Sequence, residues 1–351
     1  QKDNAPNAKI ADILAQLYIE KNDYTKAFEQ LQIVESDSDD RLNVRMKMAL
    51  ILIELKRYDM ASQKLEEILQ DAPDSDKVRF YLAAVYEESG KLDKARKEYV
   101  QIPASSHYYG EAVVHAAYIL KNQGRINEAL EVAHTGLKNR QDHPQIFAIY
   151  ASLLDEKGDV KDAIKVLEEG SSKFPKNTQL KFYYGTLHDR LGDKEKVVKA
   201  MQDVLDIDPN HVQGLNYLAY TWAEMNEKME EAESMARRAA ELEPKDGYVL
   251  DTLGWILFKQ GKVKEAIQFL EAAHTYQSSV SIIAEHLGDA YHKQSLVTKA
   301  KAMYLKAIAL ESDQKKIQEI NQKLTAIEKQ QMVAPRLPAS KIPLAEAEKP
   351  K

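Results

Sequence analysis

None of the 351 residues is cysteine, which removes disulfides, zinc–thiolate sites and thiol nucleophiles together. That absence is compatible with either a reducing or an oxidising compartment. Long apolar runs are missing as well. The longest lies near Met48–Ile53, far short of the roughly 18 apolar residues a membrane-spanning helix needs. Basic charge is not in excess: 49 Lys and Arg stand against 55 Asp and Glu, for a net charge of -6. This balance argues against the concentrated basic stripe that phosphate backbones require. Phosphate loops are absent too. Gly90-Lys91 and Gly261-Lys262 carry neither the upstream glycine nor the following Ser or Thr. The nine histidines are scattered without a paired nucleophile, and no carboxylate pair is placed for acid–base chemistry, so no catalytic activity and no cofactor are expected.

A composition of 44% hydrophobic and 30% charged residues, with 13 Gly and 11 Pro, fits a helix-rich folded protein. The organising stretch is Tyr248–Ala273. Its first half places Leu250, Leu253, Gly254 and Leu257 on one helical face, and its second half places Ala266, Leu270 and Ala273 on another. Gly261 breaks the pattern between them. The unit is a helical hairpin whose apolar faces exceed what it can bury alone, so it needs neighbours.

Those neighbours are visible as a repeat. Ala27, Ala61, Ala95, Ala129, Ala163 and Val197 follow one another at steps of 34, and Ala232, Ala266 and Ala300 continue at 35, 34 and 34. The turn glycines Gly90, Gly124, Gly158 and Gly192 keep the same spacing, and Gly261 lies 69 further on. Pro73, Pro175, Pro209 and Pro244 close copies in the same phase. Asn22, Lys56, Asn226 and Ser295 stand where other copies have the turn glycine. Asn suits that left-handed position best, and Lys56 weakens its copy most. The extra residue before Ala232 falls in the polar stretch Glu224–Glu231 and is expected to be absorbed by a turn.

A 34-residue period with a small residue at position eight, an aromatic at eleven, Ala at twenty and Pro near thirty-two resembles the tetratricopeptide (TPR) repeat. Ala83, Tyr86 and Ala95 fill those roles in one copy, and Gly288, Tyr291 and Ala300 in another. The resemblance implies an all-α, right-handed superhelical solenoid of about nine helical hairpins over residues 8–312. A flexible lead is expected at residues 1–7. Ile317, Ile320, Leu324 and Ile327 mark a C-terminal capping helix over residues 313–331, and a Pro-containing disordered tail is expected at 332–351.

In TPR domains the first helix of each copy lines the concave groove with positions two, five, nine and twelve, a single stripe by helical geometry. Carried onto this chain, the stripe gives a candidate protein-binding groove of Phe182, Asn216, Tyr220, Tyr248, Asp251, Trp255, Phe258, Glu285, Asp289 and His292, with Lys259 beside it. Large aromatics in a groove suit binding hot spots; the competing reading packs Trp255 and Phe258 between neighbouring first helices. Nearby, Asp189, Glu224, Asp251, Glu285 and Asp289 outnumber Arg190, Lys259 and Lys293, so the expected ligand is a peptide or protein surface with aliphatic anchors and some positive charge. Glu285, His286, Asp289 and His292 have the residue types of a metal site, but a polar groove face is the plainer reading and no metal is expected. Tyr108 and Tyr109 either face a partner or staple the next helix start.

Chaperone-binding TPR modules use basic residues at the fifth position of the first helix. None of the fifth positions here, from Asp12 to Glu285, is basic. The segments Gly214–Trp222, Tyr248–Phe258 and Ile283–Tyr291, with HYYGEAVVHAA in the middle of the chain, resemble bacterial cell-envelope TPR lipoproteins. That resemblance implies a scaffold or adaptor at the periplasmic side of the outer membrane, bringing substrates or peptidoglycan enzymes to an envelope protease. The lipid-bearing cysteine of such proteins is not among these residues; the polar lead Gln1–Asn7 is compatible with an anchor segment removed upstream. The alternative is an intracellular TPR module that binds a peptide or self-associates.

Overall fold

The computed structural model describes residues 8–37 and 40–333. Among them are nineteen α-helices and no strand. The chain divides into two compact units, residues 1–187 and 188–351.

In the N-terminal unit the helices pair as hairpins: α1 (Ala8–Glu20) with α2 (Tyr24–Asp37), α3 (Arg41–Glu54) with α4 (Tyr58–Asp71), and α5 (Asp76–Glu88) with α6 (Leu92–Val100). They continue with α7 (Tyr109–Asn122) and α8 (Ile126–Asn139), then α9 (Pro144–Lys157) and α10 (Val160–Lys173). The boundary between the units falls inside α11 (Thr178–Arg190). The C-terminal unit holds α12 (Lys194–Ile207) and the hairpins α13 (Val212–Met225) with α14 (Met229–Leu242), α15 (Gly247–Lys259) with α16 (Val263–Tyr276), and α17 (Ser281–Lys293) with α18 (Val297–Leu310). The last helix, α19 (Gln314–Val333), packs on α18.

The repeat positions explain why these helices pair. Ala27, Ala61, Ala95, Ala129, Ala163, Ala232, Ala266 and Ala300 are all completely buried, each in the second helix of a hairpin, and Val197 of α12 is as fully buried. In α15 the partner surface is Gly254, where an added Cβ would lie 2.6 Å from Leu270 Cγ and 3.2 Å from the Ala266 carbonyl oxygen. Only hydrogen fits there. Around this crossing Leu253, Leu257 and Leu270 are buried to within 1% of complete, and each such leucine contributes about 1.5–3 kcal/mol relative to full exposure.

The turns behave as the spacing requires. Gly261 takes φ +78°; its N–H donates to Phe258 O, and the Lys262 N–H donates to Leu257 O, satisfying carbonyls that the end of α15 leaves open. Asn22, Lys56, Asn226 and Ser295 adopt the same left-handed backbone at φ 54–61°. The extra residue before Ala232 is absorbed between α13 and α14, where Lys228 is a second left-handed residue, at φ 45°. Pro73, Pro175, Pro209 and Pro244 each stand two residues beyond the last residue of a second helix, where the ring forbids continuation.

At the C-terminal end Ile320 and Ile327 of α19 are buried, with Ile317 and Leu324 partly covered beside them. The helix runs through Met332 and Val333, two residues into the stretch expected as tail. The lead at residues 1–7 and the rest of that tail, residues 334–351, lie outside the described residues.

Candidate functional site

First helices of adjacent hairpins touch directly: α13 meets α15, and α15 meets α17. Their exposed stripes therefore form one continuous face of the C-terminal unit. Asp246 fixes where α15 begins, its side chain accepting hydrogen bonds from the N–H groups of Tyr248 and Val249 at 2.8 and 3.2 Å. Tyr248 consequently opens the stripe and is 51% exposed.

Trp255 stands at the centre of this face. Its indole N–H donates to Glu224 Oε1 on α13 at 2.9 Å. Its ring lies parallel to Phe258, with centroids 5.1 Å apart, and to His286 of α17 at 3.9 Å. The ammonium of Lys259 sits 5.5 Å from the indole centroid, pairs with Glu224 at 3.0 Å and donates to Ala223 O at 2.9 Å. The indole thus ties three first helices together. Tyr248 and the half-buried Phe258 supply the aromatic surface that α15 turns to solvent.

Asp251 is on the stripe by spacing but is only 5% exposed. Both its carboxylate oxygens lie 3.0 Å from His286 Nδ1, itself on a residue 3% exposed. Taking a carboxylate out of water is tolerated because the imidazole meets it. Glu285 and Asp289 are half-buried and share one cation: Lys323 of α19 donates to Glu285 Oε1 at 2.7 Å and to Asp289 Oδ2 at 2.6 Å. Asp289 also accepts from Tyr304 Oη at 2.6 Å. Glu285, His286, Asp289 and His292 therefore do not converge. Among the described residues no group of three His, Cys, Asp or Glu is arranged to hold a metal ion.

The electrostatics of the face are acidic. Tyr220 of α13 has its phenol pushed well above the usual range by burial, with Glu224, Asp251, Asp189 and Glu285 adding to the effect in that order. Asp189 accepts from Tyr217 Oη at 2.7 Å and from Lys194 Nζ at 2.6 Å. Burial alone would raise the pKa of Glu224, but its bonds to Trp255 and Lys259 outweigh that and hold it below the ordinary glutamate value. Burial likewise opposes the charge of Lys323, and Asp289 and Glu285 together overcome it, so its ammonium is held above the usual lysine value. Five carboxylates (Asp189, Glu224, Asp251, Glu285 and Asp289) thus meet three lysines (Lys194, Lys259 and Lys323). Two polar atoms on the same helices are buried without a hydrogen-bond partner: Asn216 Oδ1 and His292 Nδ1.

Of the residues read from sequence, Asn216, Tyr220, Tyr248, Asp251, Trp255, Phe258, Lys259, Glu285, Asp289 and His292 all lie on α13, α15 and α17. Phe182 is half-buried on the part of α11 belonging to the N-terminal unit. Lys323, Tyr217 and the pairing of His286 with Asp251 were not anticipated. Lys323 was accessible to the same ruler, since it lies 34 residues after Asp289, which is itself 34 after Trp255. In the N-terminal unit Tyr109 is buried and accepts a hydrogen bond from Asn139 at 2.9 Å, while Tyr108 stacks on Phe80 at 5.1 Å. Both rings are engaged in packing there.

The helical hairpins, their crossing alanines and their stacked first helices define a helical-repeat protein. Tetratricopeptide-repeat family models match residues 52–107, 223–280 and 284–314. Over those stretches the chain carries TPR repeats, which generally serve protein–protein contact and are typically non-catalytic. A TPR repeat-containing protein of Pseudomonas aeruginosa is 34% identical over 87 residues, which cover 24% of this chain and 14% of the relative's length. The solved structure of a tetratricopeptide repeat protein from Parabacteroides merdae covers 72% of this chain and 99% of its own, at 17% identity and a TM-score of 0.54, and so shares the fold. MamA from Desulfovibrio magneticus, 16% identical, covers 48% of this chain and 95% of its own at a TM-score of 0.42. No helix of the described residues is long and apolar enough to cross a membrane.

Proposed function

We propose that this chain is a non-catalytic scaffold that holds a segment of a partner protein along the first-helix face of its C-terminal unit. The observation that carries this reading is the combination of Tyr248, 51% exposed at the head of the stripe, with four carboxylates that reach solvent, Asp189, Glu224, Glu285 and Asp289, sharing three lysines, Lys194, Lys259 and Lys323. An exposed aromatic on a rigid helix supplies contact area at low entropic cost, and the excess of negative charge favours a partner segment carrying lysine or arginine. Trp255 acts in this scheme as a strut that keeps the face rigid, with Tyr248 and Phe258 making the contacts.

The partner belongs, in this reading, to the bacterial cell envelope, where the protein serves as an adaptor for a protease or a peptidoglycan enzyme. The support is the resemblance of Gly214–Trp222, Tyr248–Phe258 and Ile283–Tyr291 to envelope TPR lipoproteins. A photo-crosslinking residue placed at Tyr248 in the native host tests both parts. Crosslinks to one envelope protein, lost when Phe258→Ser is added and absent from a control probe at Lys165, are expected. Equal products from both probe positions, or a protein recovered wholly from the cytoplasmic fraction, would count against the proposal.

A further inference from the structure

Eight of the nine second helices, α2, α4, α8, α10, α12, α14, α16 and α18, are 14 residues long. The exception is α6, which stops after nine, at Val100. Pro103 explains the stop, because a proline both lacks the donor N–H of a continuing helix and disfavours helical backbone at the residue before it. The chain then passes through turns to Tyr109 and is pinned there: Arg140 Nη1 donates to the carbonyls of Ala104 and Ser106 at 3.2 and 3.0 Å. Ile102 is 2% exposed and faces inward. Beyond Val100 a recess opens between the end of α6, α7 and α8.

The recess is a cleft of about 220 Å³. Tyr99, Tyr109 and Val113 are buried in its floor, and Val132 lies half-buried in its wall. Val100, half exposed, and Glu131 stand at its lip. Glu131 is the only charged residue in the lining. Its neighbour Glu128, one turn back, is paired with Arg125 at 2.6 Å, whereas no ion pair or side-chain hydrogen bond engages Glu131 among the described residues. An apolar recess with one uncompensated carboxylate at its edge is the shape of a hot-spot pocket, in which a single anchor side chain is desolvated and a neighbouring cation orients it.

We propose that this cleft takes an apolar side chain from a partner protein segment that carries lysine or arginine beside it. The apolar group enters the recess between the end of α6, α7 and α8, and the cation meets Glu131. It is a second contact site, in the N-terminal unit, and does not depend on the first-helix face of the C-terminal unit.

The test uses the full chain with methyl-labelled valine and two probes of equal shape, phenethylammonium and 2-phenylethanol. Saturable shifts of the Val100, Val113 and Val132 methyl resonances are expected with both, and tighter binding is expected for the ammonium. Glu131→Gln should weaken the ammonium about threefold, the scale of an exposed ion pair, and leave the alcohol unchanged. Thr135→Trp and Val132→Phe, each confirmed as folded by circular dichroism, fill the cleft and should abolish both sets of shifts. Three results would overturn the proposal: no saturable shifts at those valines, shifts that persist in both filled variants, or a Glu131→Gln chain that still prefers the ammonium to the same degree.

Discussion

The imidazole of His286 is held on two sides: it stacks on Trp255 with ring centroids 3.9 Å apart, and its Nδ1 lies 3.0 Å from both carboxylate oxygens of Asp251. One side chain of α17 thereby secures two residues of α15, one apolar and one charged. Removing it with His286→Ala leaves Asp251 buried without its donor and Trp255 without its stacking neighbour. A loss of about 2–4 kcal/mol follows from an uncompensated buried carboxylate. Urea denaturation measures it; a loss below about 1 kcal/mol would show that water or a shifted side chain replaces the imidazole.

Lys323 attaches α19 to α17 through Glu285 and Asp289. Because its side chain is 37% exposed, solvent screens the pair, and Lys323→Met should cost only about 1 kcal/mol. The effect should be local. Hydrogen exchange in α19 should quicken while α13 and α15 keep their protection, and a uniform change across the unit would contradict the assignment. The pH sign follows from the raised pKa of Lys323: its contribution is complete below the ordinary lysine value of about 10.4 and disappears as pH rises through the higher folded value.

In the N-terminal unit His115 Nδ1 lies 2.9 Å from Glu87, and this bond raises the histidine pKa against the opposing effect of burial. Glu87 is lowered: burial would raise it, but His115 and Tyr99 prevail. A raised histidine stabilises fully below its unfolded value of about 6.5 and loses that contribution as pH rises through the folded value. A lowered glutamate stabilises above its unfolded value of about 4.3 and loses the contribution as pH falls through the folded value. The pair is therefore strongest between those two unfolded values. With the imidazole 45% exposed, the amplitude is about 0.5 kcal/mol. The urea midpoint of the parent chain minus that of His115→Gln should shrink between pH 6.5 and pH 8; a constant difference would mean that the charge of His115 plays no part.

Two backbone substitutions should act in opposite directions. Gly254→Ala drives a Cβ to 2.6 Å from Leu270 Cγ and should cost about 1–3 kcal/mol through overpacking. Lys56→Gly relieves a left-handed lysine at φ 55° and should gain about 1 kcal/mol. Thermal melts of the two variants order them against the parent chain. A destabilised Lys56→Gly would mean that glycine's added freedom in the unfolded chain exceeds the strain removed.

Spacing was a sound guide wherever one residue has to satisfy one backbone requirement. The crossing alanines and the left-handed turns could be located because neither depends on which side chain stands opposite. Lys56 shows how far this goes: a residue ill suited to the left-handed region still adopts it, because the register on both sides leaves the turn no alternative. The groove stripe was legible to the same extent, as positions on a helical face. What each position does there was not. Asp251, Trp255 and Glu285 occupy equivalent kinds of surface by period, yet one is sealed against an imidazole, one braces three helices and one holds a lysine from the last helix.

The sequence by itself thus determined the hairpins, their phase and the helix faces available for contact, since period and backbone conformation are local properties of the chain. Only the tertiary structure decided which polar groups on those faces are already spoken for. Partners such as His286 for Asp251 and Lys323 for Asp289, 35 and 34 residues away, come from neighbouring repeats. Their pairing depends on how side chains of adjacent copies meet, and that is set by packing between helices, which no single helix encodes.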